Sequence, residues 1–334
     1  MNYLTQDKLA IFGSAGAIGS NMVQSALTMG ITPNIAMYDP FATGNEGAAE
    51  EIYHCAFPGA RVRWTSDPAE ALDGASFVIS AGGAPRKEGM TREDLLKGNA
   101  EIAVQLGREI KRQAPGLKFA VIIFNPADIT GLVTLVHAGL PASRVATLAA
   151  LDSTRLQTAL AQHFDVAQDE VTGARTYGGH GEMMAVFAST VRISGRPLTE
   201  LIGTPRLSDQ AWSEIQTRVR QGGKRIIQLR GRSSFQSPAH QSVLMVKAVI
   251  DGKGYPWPCG TYVDSAKHGM AKVMMAMETR LDRDGVYWEL PRGTEDELAA
   301  LRASYEHVAK LRDEVVAMGI LPPLDRWSAI NPRL

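Results

Sequence analysis

The sequence is poor in cysteine, which limits both disulfides and metal sites. Only Cys55 and Cys259 occur among the 334 residues, and no CxxC or HExxH spacing is present. A single disulfide stays open, but two free, buried thiols in a cytoplasmic protein are the favoured interpretation. The sequence therefore predicts no metal site and a cytoplasmic location.

An excess of charge of either sign is also absent. Lys and Arg together number 35, as do Asp and Glu, and no basic run interrupts this balance. We therefore expect neither a nucleic acid nor an anionic membrane surface as a partner. The longest apolar run, Phe119–Phe124, is far shorter than the roughly 20 residues of a membrane-spanning helix. Because Asp7 and Lys8 lead directly into a predicted strand, we expect no signal peptide either.

Glycine, by contrast, is abundant and well placed near the start of the chain. The stretch Lys8–Asp39 reads as strand, glycine turn, helix and strand, with Gly13, Gly16 and Gly19 following the first strand. A glycine turn lets the backbone approach a pyrophosphate, whose charge the new helix N-terminus stabilises. The spacing is GxxGxxG rather than GxGxxG, and a plain strand-to-helix turn is the alternative interpretation.

Asp39 strengthens the nucleotide interpretation. It ends the second predicted strand, 20 positions after Gly19, where a carboxylate can accept hydrogen bonds from the adenosine ribose. Pro40 and Phe41 follow it, and no Arg or Lys is placed there for a 2′-phosphate. The stretch therefore predicts dinucleotide binding, with NAD favoured over NADP.

The rest of the chain divides into two patterns. Residues 1–150 alternate strands and helices, the pattern of a doubly wound parallel sheet, with strands expected at Ser76–Ser80, Leu117–Phe124 and Val145–Leu151. Residues 151–334 read as mixed α+β, with a long helix over Leu207–Leu229, further helices over 238–250 and 295–318, and short strands within 255–292. The fold class is therefore α/β, a nucleotide-binding domain followed by a mixed α+β domain.

Three polar features stand out beyond the glycine turn. Asp152 is expected to begin a helix as its N-cap, with Arg155 near the same end; simple capping explains it equally well. His180 has glycines on both sides in YGGHGE, where it can face a ligand, although a lone histidine is more often structural. The basic segment Ala84–Asn99 precedes and enters a helix capped by Thr91; it suits a mobile lid or, alternatively, a solvated loop.

Five motifs in order give the chain a resemblance to the lactate/malate dehydrogenase family over nearly its whole length. They are GSAGAIG with MYD, PRKEGMTREDLLKGN, FNPADI, LDSTR and GGHGE. The resemblance implies a Rossmann domain at 1–150 with a substrate lid at about 83–98, and a catalytic domain at 151–334. It implies NAD as cofactor and malate, a dicarboxylate, as substrate, within a homodimer of the tricarboxylic acid cycle.

The family roles then fall on particular residues. The resemblance implies that His180 exchanges the substrate proton and that Asp152 fixes the imidazole tautomer. Arg155 would bind the C1 carboxylate, Arg92 would polarise the carbonyl, and Arg86 would pair with the second carboxylate. The remaining substrate contacts implied are Asn125 and Ser237. The implied cofactor contacts are Gly13, Gly16, Ala17, Ile18, Gly19, Asp39, Gly82, Asn99 and Asn125.

Three alternatives compete with this hypothesis. A dehydrogenase of lactate or another 2-hydroxy acid is the nearest, and Arg86 discriminates against it, because a cation there pairs with a second carboxylate and rejects a methyl group. An NAD-using glycosidase would need a divalent metal with Cys and His ligands, for which the sequence has no cluster near the site. A non-catalytic NAD sensor would need no proton relay such as Asp152 and His180.

Overall fold

The computed structural model of the chain describes residues 2–84 and 91–334. Arg86 lies outside the described residues, as does the central part of the predicted lid. The strands are β1 (Lys8–Phe12), β2 (Asn34–Tyr38), β3 (Arg61–Thr65), β4 (Ala75–Ser80), β5 (Phe119–Ile122), β6 (Val145–Thr147), β7 (Val171–Thr172), β8 (Arg175–Tyr177), β9 (Ala185–Phe187), β10 (Arg192–Ile193), β11 (Arg196–Pro197), β12 (Gly260–Ser265), β13 (Met270–Ala276), β14 (Glu278–Asp282) and β15 (Gly285–Glu289). The helices are α1 (Ala17–Thr28), α2 (Ala42–His54), α3 (Pro68–Leu72), α4 (Arg92–Gln113), α5 (Ala127–Ala138), α6 (Ala150–Phe164), α7 (Asp209–Arg220), α8 (Gly222–Arg230), α9 (Gln236–Asp251), α10 (Glu295–Ala317) and α11 (Trp327–Ile330).

The main sheet confirms the predicted doubly wound topology. Its order is β13-β12-β6-β5-β4-β1-β2-β3, and the six strands from β6 to β3 are parallel. Their order 3-2-1-4-5-6 is that of the dinucleotide-binding fold, with its ligand crevice beyond the carboxyl ends of β1 and β4. Two strands of the second half, β12 and β13, continue the sheet in antiparallel fashion, which the sequence pattern did not predict.

Alternating side chains divide the core into two layers. Leu9 and Ile11 of β1 point to one face, where α1 and α9 pack, while Ala10 and Phe12 point to the other, where α4 and α5 pack. All four side chains are at most 5% exposed. This two-sided burial explains the uninterrupted apolar run that predicted the strand.

Several predicted helix ends are confirmed by their chemistry. Thr91 caps α4 in a capping box: its hydroxyl accepts the Asp94 N–H at 3.0 Å, and the Asp94 carboxylate accepts the Thr91 N–H at 3.0 Å. Helix α10 begins after Thr294 with the same arrangement and ends before Gly319, whose φ is +73°. The small and acidic residues of 48–57 also predict a helix, and this stretch overlaps α2, which begins earlier, at Ala42, and ends at His54.

Four predicted boundaries were wrong. The strand expected over Val145–Leu151 ends at Thr147, and β5 is likewise shorter than the predicted Leu117–Phe124. Asp152 is not an N-cap, because α6 begins at Ala150 and Asp152 occupies its first turn. The single helix expected over Leu207–Leu229 is two helices, which meet at Gln221.

The structure also bears on the predictions about the cysteines and about a membrane-spanning helix. Cys259 is buried as expected, but Cys55 is exposed, and both thiols are free. The prediction of two buried thiols was therefore half wrong, because Cys55 follows the last residue of α2 at the surface. Among residues 2–84 and 91–334, no helix is long and apolar enough to cross a membrane.

Candidate active site

The glycine turn brings two loops into backbone contact at the carboxyl ends of β1 and β4. Gly13 has a φ of +84°, and a Cβ there would lie 2.8 Å from backbone atoms of Ala81 and Gly82. A Cβ on Gly19 would lie 2.1 Å from the Gly13 carbonyl oxygen. Helix α1 begins directly after Gly16 and has no side-chain cap. This exposed helix N-terminus beside a side-chain-free cradle fits the pyrophosphate of a dinucleotide.

Asp39 lies where the sequence places it, at the end of β2. One carboxylate oxygen accepts the Ala15 N–H at 3.2 Å and the other accepts the Phe41 N–H at 3.0 Å. A carboxylate has about four acceptor positions, so both oxygens retain capacity for ribose hydroxyls. The carboxylate thus both fixes the glycine turn and fits an adenosine ribose.

Asn99 joins the loop that follows β4 to the loop that follows β5. It is 2% exposed, and its amide oxygen accepts the Ala84 N–H at 2.8 Å. Its amide nitrogen donates to the Asn125 carbonyl at 2.7 Å. The side chain of Asn99 therefore holds the loop after β4 against the loop after β5. Because its partners, the Ala84 N–H and the Asn125 carbonyl, are backbone groups, Asn99 fixes the two loops relative to each other.

A cavity of about 320 Å³ lies beyond these loops and contains the predicted acid–base residues. His180, Arg155 and Asn125 line it, together with Ile18 at the start of α1. Its other lining residues are Ile123, Ala127, Leu148, Leu151, Gly181, Glu182, Arg220, Gln221, Gly223, Lys224, Ile227, Ser233, Ser234 and Pro238. The cavity thus joins the nucleotide-binding half to the second half of the chain.

Asp152 connects the two main functional side chains of the cavity. One of its oxygens is 2.8 Å from His180 Nδ1, and the other accepts from Arg155 Nη1 at 3.0 Å. Asp152 is 2% exposed, whereas the side chains of His180 and Arg155 are each 23% exposed. With Nδ1 bound to Asp152, His180 keeps Nε2 for a substrate. The Asp152 charge raises the pKa of His180, although burial opposes that shift.

Gly222 sets how closely α8 approaches Arg155. A Cβ at this position would lie 2.5 Å from Arg155 Cδ and 2.8 Å from Arg155 Nε. A side chain at this position would therefore force Arg155 to move from its present place beside the junction of α7 and α8. The sequence analysis missed this role; the GG pair at 222–223 within a predicted helix was the available signal.

The loop that carries His180 is held by three other elements. Gly178 exchanges backbone hydrogen bonds with Ala276 of β13, and Gly179 donates its N–H to Ser304 Oγ of α10 at 2.9 Å. The His180 N–H donates to Asp128 Oδ2 of α5 at 2.7 Å. The sequence analysis gave no individual role to Asp128, which lies within the FNPADI motif.

The structure does not bring every predicted site residue to the cavity. Arg92 begins α4 and lines a separate groove with residues of α10, such as Lys310 and Glu314. Ser237 lies on α9 and, among the described residues, is not part of the cavity lining, whereas Ser233 and Ser234 are. Arg86 is in the part of the chain that the structure leaves undescribed.

Comparison with known families decides the affiliation of the chain. Residues 7–147 match the lactate/malate dehydrogenase NAD-binding domain, and residues 149–317 match the lactate/malate dehydrogenase alpha/beta C-terminal domain. The chain belongs to the lactate/malate dehydrogenase family. The family resemblance drawn from the five motifs is thus confirmed, as are the fold class and NAD as the cofactor.

Individual members of this family are similar to the chain over most of its length. The malate dehydrogenase of Pelagibacter ubique is 30% identical over 84% of this chain and 87% of its own length. That of Picrophilus torridus is 30% identical over 92% of this chain and 96% of its own length. Its crystal structure superposes with a TM-score of 0.81, covering 94% of this chain and 100% of that one, at 29% identity. A Cryptosporidium parvum lactate dehydrogenase with lactic acid and NAD gives a TM-score of 0.83, covering 92% of this chain and 98% of that one, at 27% identity.

The chain is therefore an NAD-dependent oxidoreductase of this family. Its glycine cradle and Asp39 fit the dinucleotide, and its cavity holds a histidine tied to a buried carboxylate. An imidazole of raised pKa beside an arginine can exchange a proton with a substrate that the arginine anchors. The family includes both lactate and malate dehydrogenases, so its membership leaves the substrate to be argued separately.

Proposed function

We propose that this member of the family catalyses the reversible oxidation of (S)-malate to oxaloacetate with NAD. The observation that supports it most is Asp152, which joins the proton-exchanging His180 and the carboxylate-binding Arg155 at one cavity. NAD, when bound, supplies the hydride acceptor, and NADH the donor. The relatives named malate dehydrogenase cover most of this chain and favour the same substrate.

The residues of the chain divide the remaining work. Arg155 would grip the C1 carboxylate with two parallel hydrogen bonds, which suit a guanidinium. His180 would take the hydroxyl proton on Nε2 during oxidation and return it during reduction. Asp152 would keep the proton on Nδ1 and stabilise the imidazolium that forms. Asn125, at the rim of the cavity, would hold the substrate hydroxyl on the nicotinamide side.

The lid arginines complete the proposal from the sequence. Arg86 would pair with the second carboxylate of the substrate and Arg92 with its carbonyl oxygen. For Arg92 this requires its guanidinium to leave the groove beside α10 and reach the cavity. Ser237 stays a prediction without a place in the cavity. A homodimer, a cytoplasmic location and a role in the tricarboxylic acid cycle likewise stay predictions.

Substrate comparison tests the proposal. Initial rates of NADH oxidation are measured with oxaloacetate and with pyruvate, for the unmodified enzyme, Arg86→Gln and the matched neighbour Lys87→Gln. We expect fast oxaloacetate reduction that falls about ten- to a hundredfold in kcat/KM in Arg86→Gln only, because a charged hydrogen bond is lost. Equal or better use of pyruvate by the unmodified enzyme would contradict the assignment.

The second candidate is a dehydrogenase of lactate or another monocarboxylic 2-hydroxy acid. It has support from the solved lactate dehydrogenase that shares the fold at 27% identity. The cavity residues His180, Asp152 and Arg155 serve either substrate equally well, since both carry a C1 carboxylate and a 2-hydroxyl group. Only the residue facing the far end of the substrate separates the two, and for this reason the experiment centres on Arg86.

A further inference from the structure

A second buried carboxylate lies beneath the histidine of the active site. Asp128, in the first turn of α5, is 6% exposed, and its Oδ2 accepts the backbone N–H of His180 at 2.7 Å. Gly179 packs against the same oxygen, since a Cβ on that residue would lie 3.3 Å from it. The other oxygen, Oδ1, is buried and has no hydrogen-bond partner among the residues described.

Few buried carboxylates are left half-satisfied in native proteins, because a charge without its full set of partners is costly in a low dielectric. Helix α5 has Pro126 at its N-cap and no side-chain cap hydrogen bond, and the hydroxyl of Thr130, two residues after Asp128, bonds the Phe124 carbonyl. Helix capping therefore does not account for a carboxylate at Asp128. Its one strong contact is with the backbone of His180.

His180 consequently lies between two carboxylates. Asp152 of α6 contacts its ring and Asp128 of α5 contacts its backbone. The charged groups on the other sides are Arg155, which opposes the charge of the imidazolium, and Glu182, Arg220 and Lys224 in the cavity lining. Helix α10 presents the neutral Ser304 to this loop.

We propose that Asp128 is a positioning residue for the reaction, whose carboxylate fixes the His180 backbone and whose negative charge stabilises the imidazolium together with Asp152. The proton-exchanging unit is then a histidine with two carboxylates. Substrate contacts are made by His180 and Arg155, and Asp128 acts through His180 alone.

The electrostatics agree with this geometry. The Asp128 charge raises the pKa of His180, after the larger effect of Asp152. Burial, reinforced by the charge of Asp152, raises the pKa of Asp128 itself to about 6. Because each charge acts on the other group, the proton affinity of each group depends on the protonation state of the other.

Asp128→Asn tests the role of the charge, because the amide oxygen can still accept the His180 N–H. Malate oxidation requires neutral His180, so its kcat/KM rises as the pH passes the pKa of His180. Removing a negative charge lowers that pKa, and we expect this limb to move about one unit to lower pH, the lower end of the effect of a nearby charge. Oxaloacetate reduction requires protonated His180, so its kcat/KM falls as the pH passes the same pKa. We expect this fall also to occur at lower pH in the variant.

Two control variants separate charge from support. Ser304→Ala removes the neighbouring bond to Gly179 without changing charge, so it is expected to lower kcat while leaving the pH limb in place. Asp169→Asn removes an exposed carboxylate, which solvent screens, and leaves both quantities unchanged. A merely structural Asp128 would instead make Asp128→Asn behave like Ser304→Ala, which would overturn the proposal.

A second readout does not depend on turnover or on the substrate assignment. The ring carbons of 13C-labelled histidine are titrated by NMR, with His180 assigned by the signal lost in His180→Gln. A downward shift of the His180 titration in Asp128→Asn supports the proposal even if malate proves not to be the substrate. Should that variant not fold, an ordinary or lowered His180 pKa in the unmodified protein would overturn the proposal, because two adjacent carboxylates raise that pKa.

Discussion

The nucleotide site and the acid–base site of this enzyme are assembled in opposite ways. Gly13, Gly19 and Asp39 lie within one stretch of the chain, and the local order strand, turn, helix, strand suffices to bring them together. His180, by contrast, meets Asp152 and Asp128 from elements that lie 28 and 52 positions away. Local pattern therefore specifies the first site, whereas the second depends on the tertiary packing of α5, α6 and α10 around one loop.

The largest expected effect comes from replacing His180, the residue proposed to exchange the proton in the acid–base site. His180→Gln should lower kcat for oxaloacetate reduction by about a hundred- to ten-thousandfold, the usual contribution of general acid–base catalysis. NADH affinity, measured by fluorescence titration, should stay within a factor of two, because the dinucleotide cradle is formed by other elements. Full turnover in the variant would show that another group exchanges the proton.

Gly222→Ala probes the packing that holds the substrate arginine. A methyl group there overlaps Arg155 Cδ and Nε, so the guanidinium must shift. We expect KM for oxaloacetate to rise about ten- to a hundredfold, the loss of a charged hydrogen bond, with little change in NADH affinity.

The adjacent Gly223→Ala is the matched control for that variant. Its Cβ would lie 3.8 Å from Arg155 Nη2, an ordinary contact, so the change in KM should be clearly smaller. Equal effects of the two substitutions would mean that Arg155 is not held by the close approach of α8.

The smallest effect is expected in the nucleotide site. Asp39→Asn keeps one acceptor oxygen but loses the charge, so NADH binding should weaken about fivefold, corresponding to roughly 1 kcal/mol for one hydrogen bond. At saturating NADH, kcat should be unchanged. A fall in kcat at saturation would contradict the separation of the two sites, since the Asp39 carboxylate accepts hydrogen bonds from Ala15 of the glycine turn and from Phe41.

The same contrast explains what could be predicted from the sequence. Strand β2, the Thr91 capping box and the glycine turn follow from neighbouring residues, and they lie where they were predicted. The roles of Asp128 and Gly222 could not be read in this way, because their partners are separated from them by tens of residues. Asp152 illustrates both cases: its proximity to Arg155 follows from helical spacing, but its contact with His180 depends on the fold.

The extension of the main sheet was unpredictable for a related reason. Strands β12 and β13 are short segments, and nothing local in them indicates that β12 pairs with β6 through Gly260 and Thr147. A Cβ on Gly260 would lie 1.8 Å from the Thr147 hydroxyl, so this pairing depends on a glycine that reads as a turn residue in the sequence. Pairing between distant strands is a property of the assembled core.

The shared contact of Asp152 has a consequence for which hydroxyl group the enzyme can oxidise. His180 and Arg155 both bond the carboxylate of Asp152 on the first turn of α6. The position of that one carboxylate therefore determines the distance between the two side chains. A carboxylate held on Arg155 presents a hydroxyl to His180 only at one number of carbon atoms along the chain. Under the proposed roles, a 2-hydroxy acid is the expected substrate, and a 3-hydroxy acid, longer by one carbon, is expected to react more slowly.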